Sequence, residues 1–372
     1  MTNDELASLD AQTRQALDAY GFDADQFRRL QAMVAEGALS PETNAVTGGV
    51  ESSRPEDITR LPAPGDAGYE EAHATGLELL RSGTVASVVL NGGMATRFGG
   101  VVKGVVEAID GRSFLELKLA QAHAIGAALA APAHVAVMNS YATDATTREF
   151  VAGLDLPEPL YFSQYVSLRL EADGSLFRDA DGRPSLYSPG HGDFLLAFRR
   201  SGVLHELQDR GVQYVTVSNV DNLPARLDPV VLGVHMLQGK PMTAEVVQNK
   251  GDVGGSPARV DGRLQIVEGM RFPAGFDASK LPFTNVNTVT FDLEALDQDF
   301  ELTWLYVEKQ VEGRTAVQLE RLYHEASAFL DTTYLEVPAV GPRGRFLPIK
   351  TPADLEAAQG PLRELIDRPP LS

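Results

Sequence analysis

The stretch from Val85 to Gly104, V-A-S-V-V-L-N-G-G-M-A-T-R-F-G-G-V-V-K-G, constrains this chain more than any other. Its first part is a short apolar, β-branched run (Val85, Val88, Val89, Leu90) whose pattern predicts a buried strand. The run stops at Asn91-Gly92-Gly93 and passes into a polar, glycine-rich turn carrying Thr96, Arg97 and, after two more glycines, Lys103. Glycines let backbone N–H groups approach an anion closely because no Cβ intervenes. Arg97 offers a planar fork of donors to phosphate oxygens and Lys103 a mobile point charge. Taken alone, the loop reads equally well as a surface turn with two solvated cations. Neither G-x-G-x-x-G nor a closing G-K-[ST] is present, which excludes a dinucleotide fingerprint and a Walker A loop.

Around this stretch, strand and helix patterns alternate. Residues 1 to about 37 carry Leu6, Leu9, Leu17, Phe27, Leu30, Met33 and Val34 at helical spacing, with Gly37 as a stop. Residues 40–68 form a Pro-, Gly- and Ser-rich irregular connection, and 69–81 return to helix. Ser113 and Glu116 form a capping-box pattern that opens a helix to about Ala130. Further strands are expected at 134–138, 160–162, 214–217, 242–248, 263–268 and 288–291, and helix at 318–330 and from Pro352. The alternation predicts an α/β fold, a mixed and mostly parallel sheet between helical layers. Ligands bind such sheets at the carboxyl ends of the strands. Small polar clusters fall there three times, at Asn91-Gly92-Gly93, Asn139-Ser140 and Asn219-Val-Asp-Asn222.

Charge and cysteine content narrow the function class. Lys plus Arg number 32 against 51 Asp plus Glu, a net charge of −19, which repels nucleic acid and anionic membranes. Any cations that bind phosphate must be gathered in one cleft against that field. There is no cysteine, which excludes disulfides and thiolate metal sites and suits a reducing, cytoplasmic setting. The polar, acidic N-terminus does not read as a signal or transit peptide, and no apolar stretch is long enough for a membrane span.

Several motifs, in order, resemble those of the UTP–glucose-1-phosphate uridylyltransferase family. They are L-N-G-G at Leu90 to Gly93, F-S-Q ending at Gln164, P-G-H-G-D at Pro189 to Asp193, S-N-V-D-N at Ser218 to Asn222, V-E-G around Glu268, F-T-N-V-N at Phe283 to Asn287 and F-L-P-I-K-T ending on Lys350 and Thr351. The spacing from Gly93 to Gly99 with the following Lys103 is closer to UDP-N-acetylglucosamine pyrophosphorylases. Two departures stand out. Val102 replaces the proline that usually precedes the lysine, and the sugar-side F-T-N-V-N differs from the usual F-N-T-N-N.

The resemblance implies a Rossmann-like sheet of the nucleotide-diphospho-sugar transferase (GT-A-like) type. Residues 1–57 would be a helical extension and connection, and 58–372 the catalytic domain without a C-terminal β-helix. It implies UTP and a sugar-1-phosphate as substrates, with Mg²⁺ as cofactor. In this reading Arg97, Lys103, His191 and Lys350 are catalytic and Asp221 holds the metal. Leu90, Asn91, Gly92, Gly93, Gln164, Gly190 and Asn219 bind the nucleotide, and Asn219, Glu268, Asn285 and Asn287 bind the sugar. His191 and Lys350 would neutralise charge where the substrates meet. The sugar is expected to be glucose, with N-acetylglucosamine or another hexose as the alternative. A non-catalytic UDP-sugar-binding protein is the reading from a different class. Without the resemblance, Asp221 is as readily a turn aspartate and Lys350 a solvated lysine before a helix.

Overall fold

Eight strands assemble into one sheet in the computed structural model, which describes residues 5–371. In chain order they are β1 (Ile58–Arg60), β2 (Val85–Leu90), β3 (His134–Asn139), β4 (Leu160–Ser163), β5 (Tyr214–Asn219), β6 (Met242–Gln248), β7 (Phe283–Asp292) and β8 (Thr332–Glu336). Their spatial order is β1-β8-β6-β7-β5-β2-β3-β4. Only β7 runs against its neighbours within this sheet; every other pair is parallel. This is the expected α/β architecture.

Alternate residues of the central strands feed opposite layers, as a period of two requires. Val88, Leu90, Ala136, Met138 and Val217 pack with Phe194, Phe198 and Leu204, from the helices Asp193–Arg200 and Val203–Asp209. Val89, Val135 and Val137 face the other way, onto Phe114, Leu115 and Leu119 of the helix Phe114–Leu129. Strands buried on both faces read as near-continuous apolar runs, which is why β2 was legible. The register aligns the carboxyl ends: Leu90 lies opposite Asn219 on one side and Met138 on the other, and Asn139 lies opposite Ser163.

The N-terminal segment folds as two helices, Ala11–Ala19 and Ala24–Ala35, separated by a turn at Gly21. Their Leu17, Phe27, Leu30 and Val34 share a smaller core with Leu168, Leu170, Leu176, Tyr306 and Val317. The expected continuation to residue 1 lies partly outside the described residues. Within the irregular connection, Val50–Ser52 pairs with Ser256–Val260, and β1 closes the edge of the main sheet.

Two local expectations need correction. The apolar spacing at 318–330 is not an α-helix: Arg314–Glu320 is a strand paired with Leu305–Val311, followed by a 3₁₀ turn at Tyr323–Ala328. The capping box at Ser113 is half formed. Ser113 Oγ accepts the Glu116 N–H at 3.1 Å, but the Glu116 carboxylate turns to Arg112 Nε at 2.9 Å. Among the described residues no helix is long and apolar enough to cross a membrane.

Candidate active site

Three adjacent strands, β5, β2 and β3, end in the small polar clusters, and a cleft of about 660 Å³ opens above them. Leu90, Gly92, Gly93, Lys103, Gln164, Gly190, His191, Asn219, Asp221, Asn285, Asn287 and Lys350 all line it. Residues spread over 261 positions of sequence therefore meet in one place.

At one end Gly92 lies against Gln164. Gln164 is buried, and its N–H donates to the Asn139 carbonyl at 2.8 Å, extending the ladder between β3 and β4. A Cβ on Gly92 would stand 2.8 Å from Gln164 Oε1, so the glycine is required for this amide to present its edge. Asn91 does not line the cleft. It is fully buried beneath the loop, and its Nδ2 donates to Asn139 Oδ1 at 3.0 Å and Thr147 Oγ1 at 2.9 Å. These bonds tie the glycine loop to β3 and to the helix Asp144–Ala152, and they set Asn91 beneath the cleft lining rather than in it.

The cations come next. Lys103 Nζ is ion-paired with the Asp221 carboxylate. Val102 has φ −63° and ψ 124°, a conformation proline itself adopts, so its substitution leaves the following lysine in place. Lys350 lines the cleft and is exposed, and its backbone N–H donates to Asp354 Oδ2 at 2.9 Å. Thr351 and Asp354 form the capping box of the helix that follows. Arg97 is displaced from the expected site: it lies exposed on a 3₁₀ turn, Thr96–Phe98, outside the cleft lining.

P-G-H-G-D packs against the backbone of Arg321. Gly190 has φ +91°, and a Cβ there would meet the Arg321 carbonyl oxygen at 3.0 Å. Asp193 is fully buried; it pairs with Arg321 and accepts the Tyr165 N–H at 2.9 Å. Burial pushes its carboxyl pKa up while Arg321 opposes the shift. The Arg321 guanidinium stacks 4.2 Å over Trp304.

Burial lowers the pKa of the His191 imidazole to about 4, which keeps the ring neutral near pH 7. Its Nδ1 accepts the Tyr323 N–H at 3.3 Å, which leaves Nε2 to carry the proton and donate.

The sugar-side residues form a chain. Asn287 sits at φ +56°, a left-handed conformation that asparagine tolerates, and its Nδ2 donates to Asn219 Oδ1 at 2.9 Å. The Asn287 N–H donates to Asn285 Oδ1 at 3.1 Å. Asn287 Oδ1 is buried without a hydrogen-bond partner, a free acceptor at the cleft wall. Glu268 lies one layer back, behind Gly255 and Asn285, with its carboxylate 3.4 Å from His324 Nε2. Burial pushes the Glu268 carboxyl pKa up.

One cleft residue, Arg169, escaped the sequence reading. Arg169 donates to Gln318 Oε1 at 3.1 Å, Ser185 Oγ at 2.9 Å and the Leu186 carbonyl at 2.6 Å. An isolated arginine just past the two-residue strand Ser167–Leu168 carries no sign in sequence of facing a cleft. Asn222 holds the C-terminal segment: its Nδ2 donates to the Arg345 carbonyl at 3.1 Å and its Oδ1 accepts the Leu347 N–H at 3.0 Å.

The donor set was tested against a divalent cation. No group of three or more His, Cys, Asp or Glu side chains suited to a metal occurs among the described residues. Asp221 is a single hard oxygen donor in the cleft with Gly92 and Gly93, a donor set that fits an ion whose remaining ligands come from phosphates and water.

Comparison with known proteins agrees with this geometry. Among curated relatives, the UTP–glucose-1-phosphate uridylyltransferase of Solanum tuberosum is 31% identical over 297 residues, covering 75% of this chain and 61% of the relative. That of Encephalitozoon cuniculi is 29% identical over 292 residues, covering 75% and 58%. The chain thus spans about three-fifths of the length of these relatives. The fold matches a mutant UDP-glucose pyrophosphorylase from Leishmania major (TM-score 0.71, 24% identity, 94% of this chain and 79% of that one). It also matches a UDP-N-acetylglucosamine pyrophosphorylase from Trypanosoma brucei (TM-score 0.74, 18% identity, 94% and 79%). The family model described as UTP–glucose-1-phosphate uridylyltransferase matches residues 56–365, from just before β1 into the last helix. With that span and the motifs meeting in one cleft, the chain belongs to the UTP–glucose-1-phosphate uridylyltransferase family.

Proposed function

We propose that the cleft transfers the uridylyl group of UTP to a sugar 1-phosphate, glucose 1-phosphate foremost, giving a UDP-sugar and pyrophosphate. The observation that carries this reading is the meeting of a base-sized edge, Gly92 with Gln164, and a phosphate-sized charge set, Lys103, Asp221 and Lys350, in one cleft. The uracil would lie against Gly92 and Gln164, whose amide offers both a donor and an acceptor.

The sugar phosphate needs no dedicated base, because a phosphate monoester with a second pKa of about 6 is largely dianionic near pH 7. One of its oxygens attacks the α-phosphorus of UTP in line, and the bond to the β-phosphate oxygen breaks, releasing pyrophosphate. Catalysis is then positioning and charge stabilisation. Lys103 exchanges its carboxylate partner for a phosphate oxygen as the nucleotide enters. Lys350 also meets the phosphates, and neutral His191 donates a hydrogen bond from Nε2. Asp221 and the nucleotide's own phosphates would hold Mg²⁺, which would supply charge neutralisation on the triphosphate. Asn219, Asn285 and Asn287, backed by Glu268, are placed to hold the sugar hydroxyls. Arg97, exposed and outside the lining, is given no contact in this scheme. A cytoplasmic setting suits a chain without cysteine.

The test is pyrophosphate release from UTP and Mg²⁺ with glucose 1-phosphate, N-acetylglucosamine 1-phosphate and galactose 1-phosphate in parallel. Release dependent on glucose 1-phosphate is expected. A preference for N-acetylglucosamine 1-phosphate would move the substrate within the class, and no release with any sugar refutes the proposal.

A further inference from the structure

The helix Phe114–Leu129, which follows the glycine loop, is apolar on nearly every side yet contains one lysine, Lys118. A helix apolar all round is buried, and a buried ammonium requires partners. Lys118 is 4% exposed. Its Nζ donates to Ser218 Oγ at 3.0 Å and to the Ala225 carbonyl at 2.5 Å. Those two acceptors are the ends of the segment that leaves β5 and carries Asn219, Asp221 and Asn222 over the cleft.

Other contacts hold the segment as well: Val220 and Leu223 are buried in the core, Asn287 Nδ2 donates to Asn219 Oδ1 at 2.9 Å, and Lys103 pairs with Asp221. Its internal backbone bonds are Asn222 N–H to Asn219 O at 3.2 Å and Ala225 N–H to Asn222 O at 3.1 Å. Ser218 Oγ reaches the Ala225 carbonyl only at 3.4 Å. Outside it, the Val220 N–H donates to Leu90 O at 3.1 Å, and Asn222 holds the strip leading to Lys350. We propose that Lys118 is a positioning residue, a single buried ammonium that clamps both ends of the Ser218–Ala225 loop and so sets where Asp221 stands relative to Lys103. The clamp itself is a matter of geometry; its kinetic consequence rests on the uridylyl-transfer reading above.

The electrostatic surroundings support the assignment. Burial first, and Arg345 after it, lower the Lys118 pKa to about 7, with the Asp221 and Glu245 carboxylates opposing them. A lysine serving stability alone has no need of this position, since replacing a buried charge by an apolar side chain of similar volume is often neutral or stabilising.

The experiment compares full-length wild-type protein with Lys118→Met, Ser218→Ala and the double variant. Amide hydrogen exchange is read across residues 219–225, together with Tm and, for active proteins, the Mg²⁺ concentration giving half-maximal rate. Lys118→Met is expected to speed exchange in the loop by about tenfold, leave the β-sheet amides protected and hold Tm level. It should raise the half-maximal Mg²⁺ by about tenfold, with the double variant no worse than Lys118→Met because both act through one contact. Unchanged loop exchange overturns the proposal, as does faster exchange spread evenly over the sheet with a lower Tm. If Lys118→Met fails to fold, Ser218→Ala carries the same exchange test, with the same two outcomes. If the wild-type protein transfers no uridylyl group, the reading of function fails, and loop exchange still decides the clamp.

Discussion

Replacing Gly92 by alanine is the sharpest way to disturb the base end of the cleft. The new Cβ would stand 2.8 Å from Gln164 Oε1 and 2.9 Å from its Cδ, against an ordinary contact of 3.4 Å or more. Something must therefore move by about 0.6 Å, and the backbone of Gln164 is tied to Asn139 at 2.8 Å. The amide side chain is left to swing. Gly92 has no left-handed φ, so the substitution adds no backbone strain, and overpacking of this size costs about 1–2 kcal/mol at most. A displacement approaching 1 Å at a positioning group lowers rate by about 10²-fold. Steady-state kinetics with UTP should therefore show kcat/KM reduced by about that factor while the urea midpoint shifts little. Gln164→Ala in the same background removes the clash and the contact together, so the double variant should lose no more than Gln164→Ala alone. If Gly92→Ala keeps kcat/KM for UTP within about threefold, where the predicted loss is about 10²-fold, Gln164 does not read the base.

Other outcomes follow from the same geometry. Lys103→Ala and Lys350→Ala should each lower kcat/KM by the equivalent of about 2–4 kcal/mol with the fold intact; near-normal activity of Lys350→Ala would remove the C-terminal segment from the site. Asp221→Asn should raise the Mg²⁺ requirement and depress kcat without a change in Tm, and superimposable Mg²⁺ titrations would leave Asp221 a turn residue. Asp193→Ala leaves Arg321 buried and uncompensated and should cost about 3–5 kcal/mol in urea unfolding, whereas a loss below about 1 kcal/mol would show the pair to be solvated. Finally, His324 is buried and held neutral, its pKa depressed well below 6.5 by burial, then by His191 and Arg271. The unfolded chain binds the extra proton below pH 6.5, so stability falls as pH drops from there. His324→Gln should flatten that decline by about 1.4 kcal/mol per pH unit, and parallel curves would contradict it.

What was legible in the sequence, and what was not, follows from how each residue announces itself. β2 and its glycine loop stood out because a strand buried on both faces is continuously apolar and ends abruptly. The cleft was legible because three polar clusters end parallel strands whose register brings them level. The 318–330 segment misled because Leu319, Leu322, Tyr323, Ala326 and Leu330 are buried at helical intervals. That spacing arises from a strand end followed by a 3₁₀ turn, and period alone does not separate them. Arg97 has the right neighbours in sequence, but the turn directs it outward. Asn91 and His191 stood out by motif, but depth beneath the loop and desolvation of an imidazole are tertiary properties that a motif does not carry. Lys118 left one sign, the only lysine in a helix that is mostly apolar.

The central claim, that this cleft is built for a uridine triphosphate and a sugar phosphate, is tested most directly by base choice. Initial rates of pyrophosphate release are measured with glucose 1-phosphate, saturating Mg²⁺ and UTP, CTP, ATP or dTTP in turn. A site whose buried amide must pair with the base rejects the wrong one because polar groups are left without partners, so UTP should be preferred by at least about 10²-fold. Comparable turnover with ATP or dTTP would contradict the account.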